Sequence, residues 1–305
     1  MKWSRKDMPS LDGRVWVVTG ANSGLGLESV KALAARGATV VMACRSPERA
    51  EAAAQEVKRE TPDAKVELRS LDVSSLASVE AFAREVSAAY SLIDGLMNNA
   101  GIMMVPRSLT TDGFESQLGT NHLGHFALSL RLLPALEQAA APRLVVVASQ
   151  AHRQGRINFD DLTGEKAYSP SAAYGQSKLA NLLFTYEAAR RFKAAGKKTV
   201  VAAAHPGFSA TNLFSFGARG GSRVMEWFVG LGSFLSQPAA AGALPQLYAA
   251  CAPDVESGAY YGPDGWFELK GAPIRRDSNA RSKDLAVAKR LWELSEQLTG
   301  VRFGA

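Results

Sequence analysis

Residues 14–19 form an apolar, β-branched run of strand length, and glycines follow at positions 20, 24 and 26. After them Leu27, Val30, Leu33 and Ala34 recur at helical spacing, and Gly37 supplies a stop. A strand buried on both faces, a glycine-rich turn and a helix in immediate succession leave few options for the fold. The chain is committed to a β-α-β unit whose turn suits phosphate. Glycines let the backbone approach a pyrophosphate, and the helix N-terminus offers free N–H groups at the positive end of its dipole. Gly20, Asn22, Ser23, Gly24, Leu25 and Gly26 are therefore the candidate phosphate-binding residues. A tight turn without ligand is the alternative for the glycines alone, and the flanking strand and helix argue against it.

The second strand, residues 38–43, completes the unit. In NAD-binding units a carboxylate about twenty positions after the glycines accepts hydrogen bonds from the adenosine ribose. Here that place holds Cys44, followed by Arg45 and Ser46. No acid repels a 2′-phosphate and a guanidinium is available to pair with one, so NADP(H) is the expected cofactor. A solvated surface arginine is the plain alternative for Arg45.

Alternation continues along the chain. Residues 65–70 read as a third strand, 93–97 as a fourth ending in Asn98, Asn99, Ala100 and Gly101, 143–149 as a fifth and 199–204 as a sixth. Helical stretches separate them, which implies right-handed crossovers and a parallel sheet covered on both faces. The expected fold class is α/β, a Rossmann-type doubly wound sheet in a single domain of residues 1–305. Ligands on such sheets sit at the carboxyl ends of the strands. Gly20, Arg45, Asp72, Asn99, Ser149, Pro206 and Gly207 all fall at that edge.

Tyr174 stands four residues before Lys178. Tyr-x-x-x-Lys alone is weak, because helices carry it by chance; following a glycine loop it points to hydride transfer. Reduction of a carbonyl leaves an alkoxide that needs a proton donor of suitable pKa. A free tyrosine, near ~10, is a poor base for the reverse reaction. A lysine one helical turn away is expected to lower that value by placing positive charge beside the phenolate.

Together these stretches resemble the short-chain dehydrogenase/reductase superfamily over roughly residues 12–212, and within it the retinol dehydrogenase-like branch. The resemblance is carried by residues 19–26, 43–46, 98–101, 121–126, 157–162, 174–181 and 205–207. It implies a catalytic tetrad of Asn121, Ser149, Tyr174 and Lys178. In that tetrad Ser149 bonds the carbonyl oxygen, Lys178 also reaches the nicotinamide ribose, and Asn121 holds a water linking the lysine to solvent. It further implies cofactor contacts from the glycine loop, Arg45, Ser46, Asp72, Val73, Asn99, Ala100, Gly101, Tyr174, Lys178 and the segment 206–211, with Pro206, Gly207 and Thr211. One departure bears on the site. Ala148 precedes Ser149 where many relatives have a second serine, so a supporting hydrogen bond is missing there or supplied by Gln150.

Membrane-bound relatives in this branch carry an N-terminal hydrophobic anchor; this chain reaches its first strand within about a dozen residues, so neither anchor nor signal peptide is expected. Residues 227–253 carry no charge and are long enough on paper to span a bilayer. Gly230, Gly232, Pro238, Gly242, Pro245 and Gln246 interrupt them, and Pro238 suits the first turn of a helix running to about residue 252. The resemblance makes residues 213–236 an apolar lid over the substrate, with membrane contact the lesser reading. Trp227, Phe228, Leu231 and Phe234 in that lid favour a small hydrophobic carbonyl or alcohol over a sugar or charged acid.

A net charge of +6 is spread without a basic patch, so nucleic acid is not an expected partner. Cys44 and Cys251 make no disulfide framework, which suits a reducing cytoplasm. His122 and His125 lie three apart on a helix, but no further ligand cluster accompanies them and no metal is expected. Residues 214–223, rich in Gly, Ser and Arg, read as a disordered loop. Tyr260 and Tyr261 suggest an edge strand. Residues 283–299 suggest an amphipathic C-terminal helix with Leu285, Ala288, Leu291, Trp292 and Leu298 on one face, which fits either the core or a second subunit of a homo-oligomer.

The principal expectation is an NADP(H)-dependent carbonyl reductase or alcohol dehydrogenase. A regulatory protein that senses NADP(H) without turnover is a different class, and the complete tetrad argues against it. Reduction of an activated carbon–carbon double bond is compatible with the same Tyr174 and Lys178.

Overall fold

The computed structural model describes residues 2–208 and 237–304. Strands β1 (Val15–Thr19) and β2 (Thr39–Cys44) are buried almost throughout, and their residues alternate between the two faces of one sheet. Trp16, Val18, Val40 and Met42 join the core on one face; Val17, Val41 and Ala43 join the core on the other. Strands with apolar side chains on both faces need a helical layer on each side. Helices α1 (Gly24–Ala34) and α2 (Pro47–Glu60) cover the first face, and α3 (Leu76–Ala89), α4 (Gly124–Leu136) and α5 (Pro170–Ala194) the second.

The remaining strands are β3 (Lys65–Ser70), β4 (Gly95–Asn98), β5 (Arg143–Val147), β6 (Val200–Ala204), β7 (Ala259–Pro263) and β8 (Pro273–Arg276). Their order is β3-β2-β1-β4-β5-β6-β7-β8, parallel up to β7, with β8 antiparallel. Strand order reverses between β1 and β4, and the carboxyl ends on either side of that point frame a crevice. The α/β doubly wound class is the observed one.

Four expectations shift. Tyr260 and Tyr261 do not lie at the edge: residues 264–271 turn the chain back so that β8 pairs outside them. The helix expected from Pro238 to about residue 252 divides into a turn at Ala239–Gly242 and helix α6 (Leu244–Cys251), because Pro245 brings no N–H to continue the first. The C-terminal helix α7 (Leu285–Thr299) starts after Asp284, whose carboxylate caps Ala286 and Val287. Its inner face is Ala288, Leu291, Trp292, Ser295 and Thr299, while Leu285 is 61% exposed. Trp292 decides the rotation by packing edge-on to Phe126 and stacking on Phe184, 5.1 and 5.8 Å between ring centroids. The two hydroxyls carried inward donate to Leu291 O and Ser295 O, so burying them leaves nothing unpaired. The helix packs on its own core.

The fourth shift concerns His122, which lies in a π-helical turn, Gly119–Leu123, ahead of α4 rather than in a regular helix. Thr211, the lid at 213–236 and the loop at 214–223 lie outside the described residues. Among the described residues no helix is long and apolar enough to cross a membrane.

Candidate active site

The crevice is a cleft of about 420 Å³ at the carboxyl ends of β1, β2, β4, β5 and β6. Its floor is the glycine turn. Gly20 has φ +64, and a Cβ there would meet the Ala100 backbone at 2.9 Å. A Cβ at Gly26 would collide with the Gly20 carbonyl oxygen. Ser23 ends this turn in extended conformation without a side-chain cap, leaving the first N–H groups of α1 facing the cleft. Backbone packed this closely, with an uncapped helix terminus beside it, fits a dinucleotide pyrophosphate.

Thr19 and Asn99 hold that floor together. The Thr19 hydroxyl accepts from Asn99 N and Ala100 N, both at 2.9 Å, and Asn99 Nδ2 donates to Thr19 O at 2.8 Å. Gln246 Nε2 reaches Asn99 Oδ1 at 3.3 Å. Asn99 lines the cleft, but its amide is spent on the turn. Thr19 and Gln246 were not among the sequence candidates, since neither touches the cleft.

At the end of the cleft beside β2, Arg45, Ser46, Asp72 and Val73 line it, joined by Arg49. Arg45 is loosely paired with Asp72, 3.9 Å away, and its side chain is 63% exposed. Arg49 was missed. It sits where Ser46 caps α2 and Pro47 begins it, so one turn of helix brings a second guanidinium beside the first. Cys44, which stands in the place of the acid, does not line the cleft. Its sulfur is buried beneath the glycine turn and accepts from the Ala21 and Asn22 N–H groups, while burial pushes the thiol up to about 11.

Ser149, Tyr174 and Lys178 line the opposite wall. Ser149 follows β5 and caps a short 3-10 turn, Gln150–Arg153, through Ala151 N at 3.2 Å. Tyr174 and Lys178 share one face of α5, both buried. Burial pushes the Tyr174 hydroxyl up to about 12, and a hydrogen bond with the Ser149 side chain pulls the other way. Burial brings the Lys178 ammonium down to about 8. The expected lowering of the tyrosine by lysine is not what this geometry gives. Lys178 Nζ donates to Val147 O at 3.0 Å and lies over the Tyr174 ring, 5.7 Å from its centre.

Asn121 is buried in the π-turn, a rare geometry that recurs at functional sites. Its Oδ1 accepts from Ile102 N, and its Nδ2 donates to Ile102 O and Ser177 Oγ, each at 2.9 Å. The side chain thus clamps the loop after Gly101 onto α5, beside Lys178. Ile102, Met103 and Met104, none foreseen, give the cleft its apolar wall together with Phe208, which lies in the expected 206–211 segment. Met104 holds φ +52, with its N–H donating to the buried Gln117 Oε1 at 2.7 Å. Ala100, Gly101, Pro206 and Gly207 also lie along the cleft. The two helix histidines diverge: His122 faces Ser295 of α7, and His125 faces Thr19.

A family model described as short chain dehydrogenase matches residues 14–217. Human retinol dehydrogenase 11 is 41% identical over 293 residues, covering 95% of this chain and 87% of its own. Mouse retinol dehydrogenase 14 is 39% identical over 308 residues, with 95% and 87% covered. A crystal structure of an uncharacterised protein from Mycobacterium paratuberculosis superposes with a TM-score of 0.83 at 45% identity, covering 100% of both chains. A short chain dehydrogenase from Shigella flexneri, complexed with NADP, shares the fold with a TM-score of 0.65 at 22% identity, covering 83% of this chain and 98% of that one.

The chain belongs to the short-chain dehydrogenase/reductase family. Its curated relatives put it in the retinol dehydrogenase-like branch, and it is a nicotinamide-dependent oxidoreductase acting on alcohol and carbonyl groups.

Proposed function

We propose that the protein is an NADP(H)-dependent enzyme that interconverts a hydrophobic carbonyl compound and its alcohol, with Tyr174 as acid and base. The observation that carries this reading is the meeting of Ser149, Tyr174 and Lys178 on one wall of a cleft whose far end presents Arg45 and Arg49. Bound NADP(H) supplies or takes up the hydride. The glycine turn and the start of α1 would hold its pyrophosphate, and the two guanidiniums its 2′-phosphate.

The chain's own residues do the rest. Ser149 Oγ donates to the carbonyl oxygen and stabilises the charge that grows there. Tyr174 delivers the proton to that oxygen, or removes it from the alcohol in the reverse direction. Lys178, held beside Tyr174 on the next turn, would fasten the nicotinamide ribose. Asn121 braces the loop against which both work. Ile102, Met103, Met104 and Phe208 exclude water from the reacting carbon and favour an apolar substrate; the unbranched methionines adapt to its shape.

The test is a screen of NADPH oxidation against aliphatic and aromatic aldehydes, ketones and enones, beside sugars and keto acids. Turnover with apolar carbonyls and little with the polar set is expected. Preference for sugars or keto acids would overturn the substrate class, and reduction of enones at carbon–carbon bonds alone would overturn the reaction.

A further inference from the structure

Ser149 has to be held from behind if its hydroxyl is to meet both Tyr174 and a substrate oxygen. Ala148 brings no polar group to that task. Gln150, the expected substitute, turns away, its Nε2 donating to Phe267 O at 2.8 Å. The support comes from one turn further on. His152 Nδ1 lies 2.6 Å from Ser149 O, and His152 N donates to the same oxygen at 3.1 Å. A carbonyl can only accept, so the imidazole proton is on Nδ1. Nε2 has no hydrogen-bond partner among the described residues, as suits a bare lone pair.

The ring is fixed as firmly as its proton. His152 is fully buried and stands edge-on to Tyr260, with 5.6 Å between centroids. Asn279 Nδ2 donates to its carbonyl oxygen at 3.3 Å. Behind Tyr260 lies His205, 5.2 Å away between centroids, with its Nε2 2.9 Å from Glu268 Oε2.

We propose that His152 is a positioning residue for Ser149: its Nδ1–H fixes the Ser149 carbonyl and so aims the serine hydroxyl at Tyr174. The inference rests on Ser149 acting in the proposed reaction. His152 stays neutral in this role, because burial holds its pKa down at about 4. The charged and titratable groups that face it are Arg153, His205 and Glu268, with Tyr260 against its ring. Tyr174 is faced by Ser149 and Lys178.

His152→Leu keeps bulk against Tyr260 but removes the donor; His152→Asn keeps a donor near the Nδ1 position. In His152→Leu, kcat is expected to fall about ten- to hundredfold with the KM for NADPH unchanged, the cost of a misplaced catalytic group. Alcohol oxidation rises with pH as Tyr174 loses its proton, and the Ser149 bond eases that loss. The rising limb should therefore move to higher pH in His152→Leu and return in His152→Asn. An equal loss in both variants, or a shift in KM for NADPH without a shift in the limb, overturns the positioning role. Imidazole nitrogen NMR of the wild-type protein gives a readout without turnover or mutation: His152 should be the Nδ1–H tautomer, and the Nε2–H form overturns the inference even if His152→Leu fails to fold. Ser149→Ala separates the two readings. If it stays active, the site assignment fails and takes the role of His152 with it; if it is inactive while His152→Leu matches wild type, only His152 is wrongly assigned.

Discussion

His125 Nε2 lies 2.9 Å from the Thr19 hydroxyl, joining the π-turn that carries Asn121 to the end of β1. The direction of the bond follows from the other partners. His125 Nδ1 is 3.2 Å from Asn121 O, a carbonyl, so Nδ1 carries the proton and Nε2 accepts. Thr19 therefore donates its hydroxyl proton to His125 while accepting from Asn99 N and Ala100 N. One hydroxyl ties the floor of the dinucleotide cleft to the turn beneath Lys178, and it can do so only while the imidazole is neutral.

That condition makes stability depend on pH. Burial brings His122 down to about 3 and His125 and His152 to about 4, all below the ordinary 6.5. Between those values the unfolded chain takes up protons that the folded chain refuses, so stability falls as pH drops below 6.5. Each histidine contributes up to about 1.4 kcal/mol per pH unit in that window. Urea unfolding at pH 7, 6 and 5 should show the loss, with a gentler slope in His122→Leu. A slope identical in the variant would mean His122 is not held neutral.

Tyr174→Phe should lower turnover by roughly 10²–10⁴-fold with little change in NADPH affinity, because only the proton donor is lost. Steady-state kinetics on the best carbonyl from the screen, with cofactor titration by fluorescence, decides it. Activity near wild type in the Phe variant would remove Tyr174 from the mechanism.

Much of this architecture was legible because it depends on backbone chemistry that few residues can supply. The glycine turn admits no Cβ at Gly26, and β1 and β2 are apolar on both faces, so sequence and structure coincide there. The burial of Cys44 follows from strand parity: it shares a face with Val40 and Met42, which join the core. The cap formed by Ser46 and Pro47 was also available, and it would have brought Arg49 to the cleft. The π-turn was not legible. Residues 115–130 are buried all round, so no hydrophobic periodicity marks the extra residue in the turn. Met104 at φ +52 gave no cue either, since nothing in a methionine marks a backbone angle that favours glycine. The exchange between Lys178 and Tyr174 failed as an expectation because spacing fixes which face a residue shares, not where a flexible lysine places its charge.

Lys178 should lower the stability of the free protein. Its folded pKa of about 8 lies below the ordinary 10.5, so below pH 8 the fold carries a buried ammonium that burial disfavours. The unfolded chain binds the extra proton between those values, and stability rises with pH across the interval. Lys178→Met should be more stable than wild type at pH 7 by up to roughly 3 kcal/mol, less about 1 kcal/mol for the lost bond to Val147 O. The difference should shrink as pH rises from 8 to 10.5. A Met variant less stable than wild type at pH 7 would show that the ammonium is well accommodated.

The proposed preference for NADP(H) rests on Arg45 and Arg49 together, which line the same end of the cleft. Arg45 is 63% exposed and near Asp72, so solvent and that carboxylate weaken what it offers a phosphate. Arg45→Ala should raise the Kd for NADPH about tenfold and leave that for NADH almost unchanged, because NADH has no 2′-phosphate to lose. Arg49→Ala should act in the same direction, and the double variant should bind the two cofactors with similar affinity. The effect in Arg45→Ala should shrink in high salt, as for any exposed charge pair. Asp at position 44 is a poor route to NADH here, since the Cys44 side chain is turned beneath the glycine turn and an acid would take the place of a buried thiol. Fluorescence titration of both cofactors against wild type, the single variants and the double variant measures all of this. Equal weakening of NADH and NADPH in the double variant would place the two arginines in the general stability of the cleft, and the 2′-phosphate with Ser46 or the glycine turn.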